Sequence, residues 1–254
     1  MIKLENYEVI GWEHAIRGMR NPMNSWEKSD SGFVCYANDQ HFCSVCEDGH
    51  TDACPERFRT YKIGPNDREL MMKLAKAGSV HAKYRRMITV YVDITAPLYW
   101  WKEFDTYKVG TVANSCSTMH KIHAKEFELE DFSCEKLISM TSDRLHSEIP
   151  FVEAGGLDES KYTPLGVIKC MVIPMLNECR SIYLETKDKI YWDQMIQLLP
   201  SSYNQKRTIM LNYEVLVGMY RDRKNHKLDE WREFCKWVEQ LPYSEIITGG
   251  FVNA

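Results

Sequence analysis

The clearest hydrophobic pattern in the chain lies between residues 66 and 95, and it predicts a helix followed by a strand. Asn66, with Glu69 three residues later, resembles a capping box, and Gly78 is expected to end the helix. Between them, apolar residues recur at helical spacing: Leu70, Met71, Leu74 and Ala77. Apolar and polar residues then alternate over 87–95, which predicts a half-buried strand inside a sheet.

The second half of the chain is predicted to be helical. Apolar residues recur at helical spacing in four segments, namely 165–185, 189–199, 206–224 and 228–241. Pro174 is expected to kink the first of them. The fold class is therefore α+β, with a strand-bearing first half and a helical second half.

Composition and charge narrow the choice of partner. The 254 residues suit one domain spanning 1–254, and 44% of them are hydrophobic and 27% charged. A formal net charge of -4 gives no global basic field, so no nucleic-acid partner is expected. No apolar run reaches the length of a membrane span, and the first ten residues lack a signal-peptide core. We therefore expect a cytoplasmic protein without a membrane partner.

The most irregular region is a polar, cysteine-rich insertion at about 28–66, predicted to be a long loop. Four of the nine cysteines lie there: Cys35, Cys43, Cys46 and Cys54, with His41 and His50 between them. Cys43 and Cys46 have zinc-knuckle spacing, but a second such pair is missing. We expect reduced thiols and no metal, and a structural zinc held by these four cysteines is the alternative.

The segment 103–121, EFDTYKVGTVANSCSTMHK, concentrates small hydroxyl side chains and an amide between cationic residues. Such groups can donate hydrogen bonds to a phosphate or a nucleotide. They can equally cap a helix or complete a turn, and that interpretation stays open. The cluster Tyr99, Trp100 and Trp101 just before it favours the core or a subunit interface over a stacking platform.

The order of elements and several residues resemble the flavin-dependent thymidylate synthases, the ThyX family. That family carries a signature of the form RHRxxSxNExSxR. The matching stretch is Thr106-Tyr107-Lys108, Thr111 and then Asn114 to Met119, with one extra residue before Asn114. A second resemblance covers the Leu-Pro pair at 199–200, Asn212, Arg223 and Trp231. The resemblance extends over roughly 67–125 and 195–240.

The departures from the family pattern fall on its phosphate ligands. Thr106-Tyr107-Lys108 replaces three residues that include two arginines, so a bidentate guanidinium becomes a single ammonium group. Met119 replaces the final arginine, and Glu214 stands where the family has a flavin-contacting arginine. Such a site is expected to bind phosphate poorly unless Lys108, Lys121, His120 or another subunit compensates.

The resemblance implies a ThyX-like fold, with a mixed or antiparallel sheet flanked by helices, and a homotetramer. It implies FAD as cofactor, a deoxyuridine nucleotide as substrate, and NADPH and methylenetetrahydrofolate as co-substrates. It assigns substrate binding to four residues of the first motif: Lys108, Thr111, Asn114 and Ser117.

The resemblance also assigns flavin contacts to Tyr107, His81 and Asn212, and catalysis to Arg223. Each residue has a simpler explanation as well. Asn212 can be a solvent-facing amide within a helix, Arg223 lies in a charge run, and His81 can be a packed histidine. Two functions stay open: a divergent flavin-dependent enzyme, or a ThyX-like nucleotide-binding or assembly protein without activity.

Overall fold

The computed structural model describes residues 2–35, 59–139, 161 and 163–249, and it shows helices packed with β-structure. The strands are β1 Lys3–Ile10, β2 Gly32–Cys35, β3 Arg59–Lys62, β4 Thr89–Pro97, β5 Thr111–Ser115 and β6 Asn204–Asn212. One sheet has the strand order β1-β4-β6-β5, and a second consists of β2 and β3. The prediction of an α+β fold is confirmed.

The helices are α1 Trp12–Arg20, α2 Pro65–Lys76, α3 Leu98–Phe104, α4 Thr118–Lys121, α5 Pro164–Val167, α6 Ile173–Thr186, α7 Lys189–Leu198, α8 Tyr213–Arg223, α9 Asp229–Glu239 and α10 Glu245–Thr248. The chain divides into two compact units. The first comprises residues 1–5, 93–106 and 113–208, and the second comprises 6–92, 107–112 and 209–254. No helix of the described ranges combines the length and apolarity that a membrane span requires.

Strand β4 confirms the predicted alternation. The inward positions Val90, Val92, Ile94 and Ala96 are fully buried, whereas Tyr91 between them is exposed. The strand begins at Thr89, two residues after its predicted start, because 83–87 form a 3-10 helix. It runs to Pro97, and α3 then buries Trp100 and Trp101, which confirms that these tryptophans belong to the core.

The predicted helix over 206–224 is wrong in its first half. Residues Asn204–Asn212 form β6, and only Tyr213–Arg223 form a helix. Gln205, Ile209 and Leu211 are buried on alternate positions, and β6 is hydrogen-bonded to both β4 and β5. Hydrogen bonding of β6 to a strand on each edge stabilises the strand conformation more than the helical spacing of its apolar residues favours a helix.

Helix α2 exists as predicted, but its start is capped differently. It begins at Pro65, and the carboxylate of Asp30 accepts the N–H groups of Asn66 (2.9 Å) and Asp67 (3.1 Å). A Cβ at Gly64 would lie 2.2 Å from Cγ of Asp30, so this close approach requires glycine. An acceptor from another segment therefore replaces the capping box predicted from Asn66 and Glu69.

The predicted kink near Pro174 appears as a change of helix type. A π-helical turn, Ile168–Val172, lies between α5 and α6, directly before the turn that contains Pro174. Proline has no N–H to give to the preceding turn, and a π turn absorbs the broken hydrogen-bond pattern.

The ends of the cysteine-rich insertion are not loops. Strands β2 and β3 pair antiparallel from Gly32 opposite Lys62 to Cys35 opposite Arg59, and the rings of Phe33 and Tyr61 lie 5.2 Å apart. Cys43, Cys46 and Cys54, like the side chain of Cys35, lie outside the described residues. Within the described ranges, no cluster of three or more His, Cys, Asp or Glu residues is arranged to hold a metal ion.

A buried ion pair organises the second unit. Asp67 has no exposed surface and accepts Nε of Arg20 at 2.6 Å, Oγ of Ser29 at 2.7 Å and Oγ of Ser31 at 2.6 Å. The backbone N–H groups of Asp30 and Ser31 also donate to this carboxylate. Burial, the largest single effect, would raise the pKa of Asp67, but the hydrogen bonds from Ser31, Ser29 and Arg20 together lower it.

Asp67→Asn should reduce the free energy of unfolding by about 3–5 kcal/mol, because Arg20 would stay buried without its counter-ion. Since the pKa of Asp67 is lowered by folding, its stabilisation should be present above about pH 4 and be lost as the pH falls further. Urea unfolding at neutral pH measures the loss. Asp222→Asn is the matched control, because Asp222 is an exposed partner of Arg221 and should contribute little. Equal losses in both variants would contradict the assignment.

Candidate functional site

The hydroxyl-rich segment 103–121 uses several of its side chains locally. Thr106 Oγ1 donates to the carbonyl of Glu103 (2.7 Å), and Thr111 Oγ1 donates to the carbonyl of Tyr107. Ser117 is the N-cap of α4, and its Oγ accepts the N–H of His120 at 3.0 Å. The interpretation as turn and cap residues is therefore correct for these three hydroxyls, although Ser117 keeps its own hydroxyl proton available for donation.

Ser117 also lines a cleft in the first unit. The cleft has a volume of about 300 Å³ and is lined by Cys116, Ser117, Lys121, Ile122, Lys125, Glu126, Phe127 and Tyr203. Two hydrogen bonds fix the backbone of Cys116. Its N–H donates to the carbonyl of Lys206 (2.9 Å), and its carbonyl accepts a hydrogen bond from Nε2 of Gln205 (2.9 Å). These bonds to β6 set the position at which Ser117 enters the cleft.

The cleft combines cations with an aromatic wall. Lys121 is exposed and forms no ion pair within the part of the chain that the structure describes, whereas Lys125 pairs with Asp131. Tyr203 and Phe127 have ring centroids 6.3 Å apart, and burial, followed by the charge of Asp131, raises the pKa of Tyr203. A hydroxyl, an ammonium group and aromatic rings together suit an anionic ligand with a flat apolar part.

Arg223 lies in a separate cluster within the second unit. Its Nε donates to the hydroxyl of Tyr107 at 2.9 Å, and its guanidinium carbon lies 4.8 Å from the centre of the Trp231 ring. The rings of Tyr107 and Trp231 meet edge to face at 6.0 Å. Arg223 is half-buried, so it is not part of a solvated charge run, and its guanidinium is held in a defined orientation.

Asn212 is not in the middle of a helix, because it ends β6 and caps α8. Its Oδ1 accepts the N–H of Val215 at 3.1 Å. Gly110 packs against it: a Cβ on Gly110 would lie 3.1 Å from Nδ2 of Asn212 and 2.9 Å from Val215 Cγ2. Segments 107–112 and 212–223, which belong to the two stretches that resemble the ThyX family, are therefore in contact within the second unit.

The remaining predicted residues have simpler surroundings. Lys108 is exposed, and Asn114 is exposed on β5 and does not line the Ser117 cleft. His81 is exposed in the turn after Gly78, so it is not a packed histidine. Among the described residues, no hydrogen bond, ion pair or ring contact joins His81 to Tyr107, Asn212 or Arg223.

Comparison with solved structures identifies the fold. Thymidylate synthase X from Helicobacter pylori, crystallised with FAD and dUMP, matches with a TM-score of 0.57 at 14% identity, over 98% of this chain and 96% of that chain. The UMP/dUMP methylase PolB from Streptomyces cacaoi, bound with 5-Br dUMP, matches with a TM-score of 0.56 at 13% identity, over 98% and 95%. The fold is ThyX-like. At these identities the likeness shows the fold alone, and no protein-family model or curated protein sequence matches the chain.

Several residues of these clusters were not predicted from sequence as site residues. Lys125 lies four residues after Lys121, but α4 ends at Lys121, so helical spacing could not have placed Lys125 in the cleft. Phe127 and Tyr203 carry no sequence signal either, because Tyr203 reaches the cleft from a distant part of the chain. Arg85 was also missed, and its Nη1 lies 3.6 Å from the Glu214 carboxylate in a largely buried pair.

The contact between Gly110 and Asn212 generates a stability test. Gly110 has φ +80, so alanine would be strained there, and its Cβ would meet Asn212 and Val215. Gly110→Ala should lower the free energy of unfolding by about 2 kcal/mol or more. Gly218→Ala is the control in the same unit: its Cβ meets open space inside α8, and it should raise stability by about 0.5–1 kcal/mol. Denaturant unfolding checks both, and a neutral Gly110→Ala would contradict the close packing.

Proposed function

We propose that the protein binds a deoxyuridine monophosphate and, with FAD, carries out a reductive one-carbon transfer to its pyrimidine. The observation that carries this proposal is the cleft in which Ser117 lies beside Lys121 and Lys125 on a ThyX-like fold. Solved proteins with this fold were crystallised with dUMP or 5-Br dUMP. In this proposal the phosphate is held by the Ser117 hydroxyl and the Lys121 ammonium group.

In this proposal, Lys121 and Lys125 supply the positive charge that arginines supply at the phosphate site of the ThyX family. A dianionic phosphate needs opposite charge and several N–H or O–H donors. Lys121 forms no ion pair with the residues that the structure describes, so its charge is available to a ligand, and Lys125 can share its charge between Asp131 and a ligand. An ammonium group acts as a point charge without a bidentate fork, so phosphate should bind less tightly here than between two arginines. The proposal also retains Lys108, Thr111 and Asn114 as substrate-binding residues.

Arg223 is the proposed catalytic residue. Its guanidinium is already oriented by the Tyr107 hydroxyl and the Trp231 ring, so no reorganisation is needed when charge develops on a pyrimidine. A preorganised cation of this kind stabilises a transition state more than a ground state. The resemblance gives Arg223 this catalytic role, and Tyr107 and Trp231 position its guanidinium.

The second unit offers donors of the type that a flavin nucleotide requires. Tyr107 presents an aromatic ring, the Asn212 amide can still donate through Nδ2, and the exposed Lys108 follows Tyr107 directly. We therefore propose Tyr107 and Asn212 as FAD contacts, and we retain His81, which contacts neither of them, as a third. Bound FAD would supply the hydride, and NADPH and methylenetetrahydrofolate are the proposed co-substrates. The proposed place of action is the cytoplasm.

A second candidate function is nucleotide binding without the reaction. It is favoured by Glu214, which stands where the resemblance expects a flavin-contacting arginine. Arg85 and Glu214 are ion-paired, and Nε of Arg85 and Oε2 of Glu214 are buried without a hydrogen-bond partner among the described residues. A carboxylate at this place would repel a flavin phosphate, which would weaken FAD binding and leave the nucleotide cleft intact.

The proposed homotetramer is supported by an apolar stripe in the first unit. Val167, Met171 and Met175 are exposed at four-residue spacing, and Met175 has 53% of its surface accessible. Met171 lies in the π-helical turn between Val167 of α5 and Met175 of α6, so successive residues of the three are about one helical turn apart. Contact with a second copy would remove this stripe from water.

Tritium release from 5-labelled dUMP, with FAD, NADPH and methylenetetrahydrofolate, tests the enzyme. Arg223→Ala should lower turnover about a hundredfold, or roughly 3 kcal/mol, with a much smaller change in nucleotide affinity. Arg221→Ala, an exposed arginine on the same helix, is the matched control and should turn over like the wild type. Lys121→Ala should weaken dUMP binding about tenfold, whereas the exposed Lys169→Ala should not.

A thermal shift with dUMP, and separately with FAD, distinguishes the two candidate functions. Release of tritium that depends on Arg223 supports the enzyme. A dUMP-induced rise in melting temperature without tritium release supports the binding protein. Absence of both signals would contradict both functions and would show that the fold is present without the site.

Light scattering at micromolar concentration tests the assembly. The wild type should have the mass of a tetramer, and Met171→Glu with Met175→Glu should reduce it, because two charges would be buried at the contact. Val80→Glu is the control, since Val80 is exposed and apolar but lies outside the stripe. A monomeric mass for the wild type would remove the proposal.

A further inference from the structure

A second cleft lies in the second unit, and its lining includes none of the residues assigned to the proposed function. It has a volume of about 510 Å³ and is lined by Arg20, Met23, Ser25, Lys28, Asn66, Glu69 and Leu70. Its residues come from the end of α1, the two 3-10 turns that follow and the first turns of α2. Its size is within the range of clefts that bind small molecules.

The most buried polar residue of this cleft is Arg20. Only 4% of the surface of Arg20 is accessible. Its Nε donates to the carboxylate of Asp67 at 2.6 Å. Its Nη1 donates to the carbonyl of Ser25 at 3.2 Å and to the hydroxyl of Ser25 at 3.4 Å. Within the described residues these bonds leave Nη2 without an acceptor. A buried arginine that lines a cleft with one amino group unused is a ready donor for an oxygen atom of a ligand.

The position of Arg20 is fixed from behind. Asp67, which accepts Nε, does not line the cleft and is itself held by Ser29 and Ser31. The carboxylate therefore orients Arg20 and does not compete for a ligand on the open side. A donor whose orientation is fixed before binding loses little conformational entropy when the ligand arrives.

The rest of the lining specifies the charge of the ligand. Lys28 and Glu69 are both exposed, and neither forms an ion pair with any described residue. Arg20 and Lys28 are the cations of the lining and Glu69 is its anion, while Asp67, 2.6 Å from Nε of Arg20, balances the charge of Arg20 from behind. The N–H donors of Arg20 and Lys28 suit one carboxylate, and Glu69 disfavours a second negative charge on the ligand.

The remaining side chains specify the rest of the ligand. The amide of Asn66 and the hydroxyl of Ser25 add donors, while Met23 and Leu70 are apolar walls. A planar carboxylate matches the guanidinium, and an apolar body matches the walls. We propose that this cleft is a binding site for a small monocarboxylate with an apolar body, whose carboxylate is held by Arg20 and Lys28.

Isothermal titration calorimetry with benzoate as the probe tests the site in the full-length protein. Benzoate should bind saturably, and more weakly as ionic strength rises. Lys28→Ala should weaken benzoate binding about fivefold, and Glu69→Gln should strengthen it about threefold by removing the repelling charge. Lys73→Ala is the matched control, because Lys73 is exposed on α2 outside the cleft, and it should leave the affinity unchanged.

Two further ligands test the specificity. Benzylamine has the same ring with the opposite charge, and inorganic phosphate is an anion without an apolar body. Both should bind at least tenfold more weakly than benzoate, and Glu69→Gln should improve phosphate binding. The proposal is overturned if benzoate does not bind, if benzylamine binds as tightly, or if Lys28→Ala and Lys73→Ala behave alike.

Discussion

The hydrogen-bonded placement of β6 between β4 and β5 is the interaction on which both candidate clusters depend. In the first unit, its residues Gln205 and Lys206 hold both backbone groups of Cys116, which fixes the entry of Ser117 into its cleft. In the second unit, its last residue, Asn212, caps the helix that carries Arg223. A strand paired on both edges cannot shift register without breaking two ladders, so these positions are strongly specified.

The chemistry of the two clusters depends on how each cation is held. Arg223 is oriented by a hydroxyl and two aromatic rings, whereas Lys121 is exposed and Lys125 shares its charge with Asp131. An oriented guanidinium suits transition-state stabilisation, and mobile ammonium groups suit the capture of a phosphate. The same contrast separates Arg20, locked in place by Asp67, from the exposed Lys28 beside it.

Prediction from sequence succeeded where one pattern had one explanation. The alternation in β4 leaves no helical alternative, because a helix would put half of its apolar side chains in water. It failed in 204–212, where apolar residues fit both a helix and a strand, and only the neighbouring strands decided the outcome. The start of α2 shows the same limit, since its cap, Asp30, lies in another segment and has no mark in the local sequence.

The sequence by itself determined the α+β class, the strand at β4 and the helices at α2, α7 and α9. These are local properties, because periodicity and residue type act within a few turns of chain. Only the tertiary structure decided that Asn212 is a helix cap, that Tyr203 reaches the Ser117 cleft, and that Arg20 lies buried against Asp67. Each of these depends on a contact between segments far apart in the chain, and such contacts follow from the packing of the whole fold and not from the residues around each position.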